Sequence, residues 1–378
     1  MWCPCLSEAV QQWSAWLAHE AARRRKLTRR QALKAATAAL AAAGCAPAAS
    51  GAQKAEAESL LGGNVSVDLH SHPGLHPRLS PTSLSTHLDR IAKGRLKLVF
   101  LTAVGDGPVI RVHPTGRISQ VREPNPGELY ASTYQQLSTF RRPIDGGRVM
   151  LVRNAGDLER LSAAAMPGGV LAVEGGDFLE GRLDRVQEAH QRGIRSIQLV
   201  HYHINELGDI QTEQPRYGGL TPFGKDVVHE MNRHGMVVDL AHATFNDVKG
   251  AVEVSAKPMI LSHTVLEASW PRAISREHAR LVASHGGVIG VMPVAIGGRG
   301  LSVYIDHIAR MVEAVGPDHA GIGTDMDGIS PLSFVTFDDY AEWPSIPEAL
   351  LARGFNRVEV AKVMGGNFTR VFTEVVSA

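Results

Sequence analysis

The stretch TPFGKDVVHEMNRHGMVVDLAH, residues 221–242, contains one complete helix-to-strand unit. Thr221 can cap a helix, and Gly235 can end it because glycine readily adopts the left-handed conformation of a helix stop. The run Met236–Leu240 that follows is rich in apolar residues, as expected for a strand buried on both faces. A histidine, His242, comes directly after this strand. The stretch therefore predicts an α/β fold with a polar side chain at the strand end.

The same pattern recurs from residue 65 onwards, where short apolar and β-branched runs alternate with segments of helical periodicity. The runs are Val65–Leu69, Leu96–Val104, Val170–Val173, Ser196–Val200, Met236–Leu240, Met259–Leu261, Val288–Met292 and Ala320–Gly323. Further helices are predicted at Ser83–Lys93, Leu183–Arg192, Phe245–Val254, Arg276–Ser284 and Val303–Val315. Eight strand–helix units predict an α/β protein of the (β/α)8 TIM-barrel type. An open doubly wound sheet is the alternative, but no glycine-rich phosphate loop follows the first strand.

One connection, residues 105–169, is much longer than the others. It contains a stretch rich in proline and glycine, 105–127, and two predicted helices near Glu128–Arg141 and Ala155–Ala164. Long loops in compact domains tend to be functional. We therefore expect this insertion to cover the active-site face of a catalytic domain that spans residues 64–378.

Composition and charge exclude several classes of protein. Of the 378 residues, 44% are hydrophobic and 20% are charged, which is typical of a globular protein and excludes wholesale disorder. No run of about 18 apolar residues is free of charges or breaks, so a multi-span membrane protein is excluded. The 39 basic residues balance 38 acidic ones, and the net charge of +1 gives no electrostatic case for nucleic-acid binding.

The first 45 residues resemble an export signal. Basic residues precede the alanine-rich stretch Ala35–Gly44, which is too short to span a bilayer. Residues 28–34, TRRQALK, resemble a twin-arginine export motif, and an ordinary basic amphipathic helix is the alternative. The segment Ala43–Cys45 resembles the end of a lipoprotein signal, in which Cys45 would be lipidated. Cleavage near Ala48 is the alternative.

These N-terminal features predict where the mature chain resides. An export signal would place it in the periplasm of a bacterium, or on a bacterial membrane as a lipoprotein whose only membrane contact is the lipid on Cys45. Residues 46–63 are small and polar without periodicity, so we expect a flexible tether. The three cysteines all lie in the first 45 residues, so a metal in the catalytic domain must be held by histidines and carboxylates.

Metal-binding residue types follow five of the predicted strands. In a TIM barrel the carboxyl ends of the strands meet at one face, where catalytic residues lie. The residues in these positions are His70, His72, Glu174, His201, His242 and His263, and Asp325 follows the eighth strand. Two of the histidines, His70 and His72, are two residues apart, so both can point towards the barrel mouth from an extended strand. Nitrogen and carboxylate ligands of this kind predict a zinc site.

Seven longer motifs surround these strand ends and span the chain from about Val67 to Phe372. They are Glu174–Gly176, Gly219–Gly224, Met231–His242, Ser262–His263, Gly286–Val291, Gly321–Gly328 and Gly365–Asn367. Together they resemble the membrane (renal-type) dipeptidases of the amidohydrolase superfamily. The resemblance implies a metal-dependent hydrolase, a metallo-dipeptidase that cuts the peptide bond of small dipeptides.

The same resemblance implies how two metal ions would be held. Two zinc ions would be bridged by Glu174, with His70 and His72 on one ion and His242 and His263 on the other. A metal-bridging hydroxide would be the nucleophile, its pKa lowered by the cations. The family's commonest first-strand motif is His-x-Asp, which this sequence replaces with a His-x-His motif.

The resemblance also implies three further roles. His201 would polarise the scissile carbonyl and stabilise the oxyanion. Asp325 would carry a proton to the leaving amine. Arg272 would clamp the free carboxylate of the substrate, for which a guanidinium fork is suited.

Two other functions remain open from the sequence. A related binuclear hydrolase could act on another small amide, an N-acyl amino acid or a lactone, because barrels change substrate through their loops. A lipid-anchored barrel could also bind a ligand without turnover, although a degenerate site would normally have lost one of the ligand-type residues. The partners expected are a small dipeptide and, as one alternative, a second copy of the chain in a homodimer.

Overall fold

The computed structural model describes residues 50–76, 80–328 and 336–376. The predicted export signal, including the twin-arginine-like motif and Cys45, lies outside the described residues. Within the described ranges, no helix combines the length and apolarity needed to cross a membrane.

Parallel strands form a nearly closed barrel, which confirms the predicted TIM-barrel class. The strands of the described chain are β1 (Val67–Asp68), β2 (Leu98–Val104), β3 (Ile110–Val112), β4 (Ile118–Gln120), β5 (Met150–Leu151), β6 (Gly168–Glu174), β7 (Ile194–Gln198), β8 (Val237–Asp239), β9 (Ile260–Leu266), β10 (Ala273–Ile274), β11 (Val288–Val291) and β12 (Ala320–Ile322). The ring runs β1-β2-β6-β7-β8-β9-β11-β12, so each predicted strand corresponds to one barrel strand. It closes where the Leu69 amide donates a hydrogen bond to the Ile322 carbonyl at 2.9 Å.

Helices surround the barrel and bury its outer face. The helices of the described chain are α1 (Gly51–Gly63), α2 (Leu84–Gly94), α3 (Glu128–Asp145), α4 (Ala155–Ala163), α5 (Asp184–Gln191), α6 (Pro222–Arg233), α7 (Phe245–Val254), α8 (Arg276–Ser284), α9 (Leu301–Val315), α10 (Ser345–Ala352), α11 (Arg357–Ala361) and α12 (Asn367–Val376). Helices α2 to α9 all lie where the sequence predicts them, because each has an apolar face that packs on the barrel. Single helical turns lie at Gly107–Val109, Gly176–Leu179, Tyr340–Glu342 and Lys362–Gly366.

The unit around α6 shows how local signals set these boundaries. The Thr221 hydroxyl accepts a hydrogen bond from the Gly224 amide at 3.0 Å and so caps the helix. Gly235 has a positive φ of 65°, which lets the chain turn from the helix into β8 at little steric cost. His242 follows this strand and therefore lies at the face of the barrel formed by the carboxyl ends of the strands.

Two glycines inside the barrel position the strand that carries His263. A Cβ atom at Gly290 or Gly323 would lie 1.8 or 1.9 Å from the carbonyl oxygen of Ser262. Only glycine therefore allows the neighbouring backbones to come this close to β9. The packing places His263 at a fixed position in the barrel mouth.

The expected flexible tether over residues 46–63 is wrong for its described part, because Gly51–Gly63 forms the helix α1. A capping box between Ser50 and Gln53 starts this helix, and its buried residues Ala57, Leu60 and Leu61 face the core. The three buried residues are spaced three and four apart, which is a helical pattern that the small, polar composition obscures.

Helix α1 is attached to the rest of the domain by polar contacts as well. Gln53 donates to the Leu351 carbonyl at 3.2 Å, and Arg357 donates to the Ser59 hydroxyl at 3.1 Å. Helix α1 is therefore part of the folded domain, and residues 46–49 of the expected tether lie outside the described residues.

We expect Leu61→Ala to destabilise the folded chain by about 2–5 kcal/mol, the usual cost of a cavity at a buried leucine. Leu61 is only 2% exposed and belongs to the main hydrophobic core. Chemical denaturation of the full chain measures the free energy of unfolding, and Lys54→Ala at an exposed position of α1 is the control. A cost below about 0.5 kcal/mol, the usual range for surface substitutions, would mean that α1 does not pack on the barrel in solution.

Candidate metal centre and substrate cavity

Five histidine rings point their Nε2 atoms at the carboxylate of Glu174, the last residue of β6. The Nε2-to-oxygen distances are 3.3 Å for His70, 3.2 Å for His72, 3.3 Å for His201, 3.2 Å for His242 and 3.4 Å for His263. All six side chains are buried. The structure thus brings together every histidine and the glutamate that the sequence places at strand ends.

The backbone at this face is strained at two of the predicted site residues. His242 and Asp325 have positive φ values of 66° and 53°, in the left-handed region that residues other than glycine seldom adopt. Such outliers persist only where the surrounding structure enforces them, and they cluster at functional sites. Here the strained turns direct both side chains into the barrel mouth.

Hydrogen bonds to the Nδ1 atoms fix the orientation of three of the rings. His72 Nδ1 donates to the Thr102 carbonyl at 2.9 Å, since a carbonyl can only accept. His201 Nδ1 donates to the Asp106 carboxylate at 2.7 Å, and His263 Nδ1 pairs with the Ser262 hydroxyl at 2.9 Å. Contacts of this kind orient metal-binding histidines and leave Nε2 facing the metal.

The electrostatics of the cluster favour ionised Glu174 and two neutral rings. Burial alone would raise the pKa of Glu174, but the surrounding histidines, His201 and His70 foremost, hold that pKa well below its usual range. Burial lowers the pKa of His242 and His263 well below the usual histidine value. Each of these two neutral rings has one ring nitrogen with a free lone pair, the form that binds metals.

His72 lies where a positive charge is favoured. Burial opposes a charge there, but the carboxylates of Asp325 and Glu174 outweigh it and raise the pKa of His72 to about 10. Its Nε2 is 3.5 Å from Asp325 and 3.2 Å from Glu174. Either a proton or a metal cation supplies the charge that these two carboxylates favour.

The donor set fits metal ions. Nε2 atoms approach each other at 3.1 Å in two pairs, His70 with His72 and His242 with His263. The lone pairs of two imidazole nitrogens and a carboxylate at these distances can all be directed at one cation, which removes the repulsion between them. Among the described residues, three groups offer ligand atoms within 4.8 Å of one another: His70–His72–Asp325, His70–Glu174–His263 and Glu174–His201–His242.

A buried carboxylate, Asp68, braces the first and last strands of the barrel beside the histidine cluster. It accepts hydrogen bonds from the Thr324 amide at 2.8 Å, the Tyr340 hydroxyl at 2.7 Å and the His70 amide at 3.3 Å. These contacts tie the strand end that carries His70 to the loop that carries Asp325. The distance between the two site residues is therefore fixed by the barrel closure.

A cavity of about 720 Å³ opens above the histidine cluster, within the usual size range of small-molecule sites. Arg272 lines it and is buried, with its guanidinium donating to the Gln211 side chain and to the His263 carbonyl at 3.5 Å. Within the described part of the chain, no carboxylate forms an ion pair with Arg272. Burial lowers the pKa of Arg272 because it disfavours the charged guanidinium.

The long insertion covers part of this cavity. Its hairpin, formed by the antiparallel strands β3 and β4, contributes Ile110, Arg111, Val112 and Ile118 to the lining. Helix α3 instead packs against β2 and the turn Gly176–Leu179, away from the cavity. The proline- and glycine-rich part of the insertion is thus the part that reaches the substrate space.

Sequence reasoning missed three residues of the site. Asp106 is fully buried and holds both the His201 ring and, at 2.9 Å, the Tyr202 amide. Tyr202 and His76 line the cavity. Asp106 follows the second barrel strand directly, so the strand-end rule applied to the other strands could have found it. Tyr202 and His76 lie in loops and carry no such signal.

Comparison with known protein families gives one match over most of the chain. The family model described as membrane dipeptidase, peptidase family M19, matches residues 60–378. Among curated proteins, the dipeptidase tcpJ of Claviceps purpurea is 28% identical over 323 residues, which cover 79% of this chain and 72% of the relative. The dipeptidase aclJ of Aspergillus oryzae is 29% identical over 307 residues, 76% of this chain and 69% of the relative.

Solved structures share the fold at lower sequence identity. The probable dipeptidase PvdM from Pseudomonas aeruginosa superposes with a TM-score of 0.73 at 18% identity, covering 86% of this chain and 98% of that one. An amidohydrolase from Pseudomonas aeruginosa gives a TM-score of 0.70 at 23% identity, covering 85% and 99%. These similarities support the barrel architecture.

Proposed function

This chain belongs to the membrane dipeptidase family, peptidase family M19, which is a family of metallo-dipeptidases. From that membership we propose that it is an exported two-zinc enzyme that hydrolyses small dipeptides. One observation carries the proposal. Five histidine nitrogens surround the Glu174 carboxylate on the floor of a cavity that is also lined by the buried guanidinium of Arg272. A dipeptide carries both groups that this arrangement suits, a peptide carbonyl and a free carboxylate.

The metal ions would be divided between two pairs of histidines. His70 and His72 would hold one ion, His242 and His263 the other, and Glu174 would lie between them. Zinc is the ion best suited to nitrogen and carboxylate donors of this kind. When bound, two zinc ions would supply Lewis acidity, which lowers the pKa of a water molecule and polarises the scissile carbonyl.

Two side chains of the protein would complete the chemistry. Burial opposes a charged His201, but the Asp106 carboxylate outweighs it and raises the pKa of His201. His201 Nε2 can then donate a hydrogen bond to the carbonyl oxygen as negative charge develops there. Asp325 lines the cavity next to His72 and would transfer a proton to the leaving amine.

Arg272 would select substrates with a free α-carboxylate. A charge-assisted hydrogen bond of a buried pair is worth about 1.5–3 kcal/mol, and each 1.36 kcal/mol corresponds to about a tenfold change in rate. We therefore expect Arg272→Ala to lower kcat/KM on dipeptides by roughly ten- to a few-hundredfold with little change in metal content. Steady-state kinetics on Ala-Ala and its C-terminal amide measures this, and the wild type should cut the free dipeptide far faster.

The matched control for this prediction is Arg276→Ala, since Arg276 is a nearby arginine that pairs with Glu267 at the surface. It should retain wild-type kinetics. If Arg272→Ala leaves dipeptide turnover intact, or the amide is cut as fast as the free dipeptide, the carboxylate clamp is wrong. A hydrolase of another small amide, an N-acyl amino acid or a lactone would then become the better proposal.

Export rests on the sequence motifs outside the described residues. We propose that the twin-arginine-like motif directs the chain to the periplasm and that Cys45 is lipidated. Cell fractionation of the Arg29→Lys, Arg30→Lys double variant should find the protein retained in the cytoplasm, whereas unchanged export would mean a signal of another type. Labelling with a lipid precursor tests Cys45, and absence of label would favour cleavage near Ala48.

A further inference from the structure

The hairpin over the cavity and the two residues that follow it contain three arginines, and two of them have acidic partners. Arg117 pairs with Glu213 at 2.6 Å, and Arg122 donates to Glu128 at 2.8 Å. The third, Arg111, has no ion pair or side-chain hydrogen bond among the residues that the structure describes. Arg111 is also the only one of the three among the residues that line the cavity. The Arg111 guanidinium is therefore available to an acidic partner from a bound molecule.

The acidic residues of the cavity lining do not provide that partner. The lining contains Glu174 and Asp325, and both face the histidine cluster on the cavity floor. Arg272 lies buried deeper in the same cavity and would take the α-carboxylate of a dipeptide. Arg111 is exposed at the rim, so the cavity offers a second guanidinium beyond the one that a neutral dipeptide needs.

We infer that Arg111 is a specificity-determining residue that favours dipeptides with an acidic side chain, aspartate or glutamate at one of the two positions. The inference rests on the proposed dipeptidase function and names its substrate class. A guanidinium binds a carboxylate through two parallel hydrogen bonds, which a neutral amide of the same shape cannot reproduce. The pair would form at the rim of the cavity, where Arg111 is exposed to solvent.

Two isosteric substrate pairs test this assignment. With the zinc-loaded full chain, kcat/KM is measured for Ala-Glu against Ala-Gln and for Glu-Ala against Gln-Ala. At one position the acidic dipeptide should exceed its amide counterpart by about tenfold, the gain of a charge-assisted over a neutral hydrogen bond at a partly exposed site. The preference should weaken at high ionic strength because the rim is open to solvent.

Variants separate the role of the Arg111 charge from the position of the hairpin. Arg111→Ala should reduce the acidic preference to within about twofold, and Arg111→Lys should retain part of it. Arg117→Ala is the matched control, since it removes a cation from the same hairpin outside the cavity and should keep the wild-type ratio. Loss of the preference in Arg117→Ala as well would assign it to the hairpin position and overturn the inference.

The remaining outcomes also decide the question. A ratio near one at both positions in the wild type, or a preference that survives Arg111→Ala, contradicts the role of Arg111. Turnover of Ala-Gln by the wild type tests the proposed function separately. If no dipeptide is cut, calorimetric binding of the same four dipeptides to the metal-free chain still measures the ratio, and the expected tenfold difference in Kd stands or fails there.

Discussion

Glu174→Gln is expected to leave less than one metal ion per chain, against close to two for the wild type, and to lower kcat/KM on dipeptides by at least about 10⁴-fold. The amide keeps the shape of the side chain but removes the negative charge that the five Nε2 atoms face at 3.2–3.4 Å. Loss of the ions would remove both water activation and carbonyl polarisation, each worth typically about 10² or more. Elemental analysis of protein purified without chelator, together with steady-state kinetics, measures both effects.

A second glutamate provides the control for this substitution. Glu253 lies at an exposed position of α7 and is not among the residues that line the cavity. The variant Glu253→Gln should therefore keep both metal and activity. Circular dichroism establishes that both variants are folded. Two ions bound by Glu174→Gln with wild-type affinity would show that Glu174 does not bridge them, and less than one ion in the wild type after zinc supplementation would exclude the binuclear site.

Asp325→Asn is expected to lower kcat by about 10²–10⁴-fold while KM changes little, because proton transfer to the leaving amine is needed only on the way to the transition state. Asp325 is 12% exposed, lines the cavity and lies 3.5 Å from His72 Nε2. The asparagine keeps the shape of the side chain but cannot transfer the proton. Full progress curves on Ala-Ala separate kcat from KM.

Metal content distinguishes this proton-transfer role from a ligand role. Asp325 belongs to one of the groups that could hold an ion, with His70 and His72. If Asp325 is a proton carrier, the metal content of Asp325→Asn should be unchanged. Loss of an ion in this variant would instead make Asp325 a ligand. Asp338→Asn, at an exposed position of the loop after β12, is the control and should behave as the wild type. A raised KM with unchanged kcat would contradict both roles.

The barrel itself could be predicted from periodicity. Each apolar run is buried on both faces and each amphipathic segment on one, so burial alone distinguishes strands from helices. Helix caps such as Thr221 then place the ends to within a residue or two. Helix α1 was missed because alanine and small polar residues dominate it, and only three buried positions, Ala57, Leu60 and Leu61, reveal its packing.

The convergence of the histidines could also be predicted, since the strand ends of a parallel barrel meet at one face whatever the loops do. The residues that orient them could not all be found in this way. Ser262 has its role because Gly290 and Gly323 allow two strands to approach its carbonyl within the barrel. The strand-end rule places Asp106 at the same face, but its hydrogen bond to His201 forms because the second strand ends beside the loop that carries His201.

The sequence by itself therefore determined the barrel, the strand-end ligand set and the expectation of a carboxylate-binding arginine, because these follow from local periodicity and from one topological rule. The tertiary structure alone decided which arginine of the hairpin lines the cavity and which is paired elsewhere. Arg111 and Arg117 lie in the same short segment of the insertion. Arg117 pairs with Glu213, 96 residues further along the chain, whereas Arg111 lines the cavity, and contacts between such distant segments depend on the packing of the whole chain.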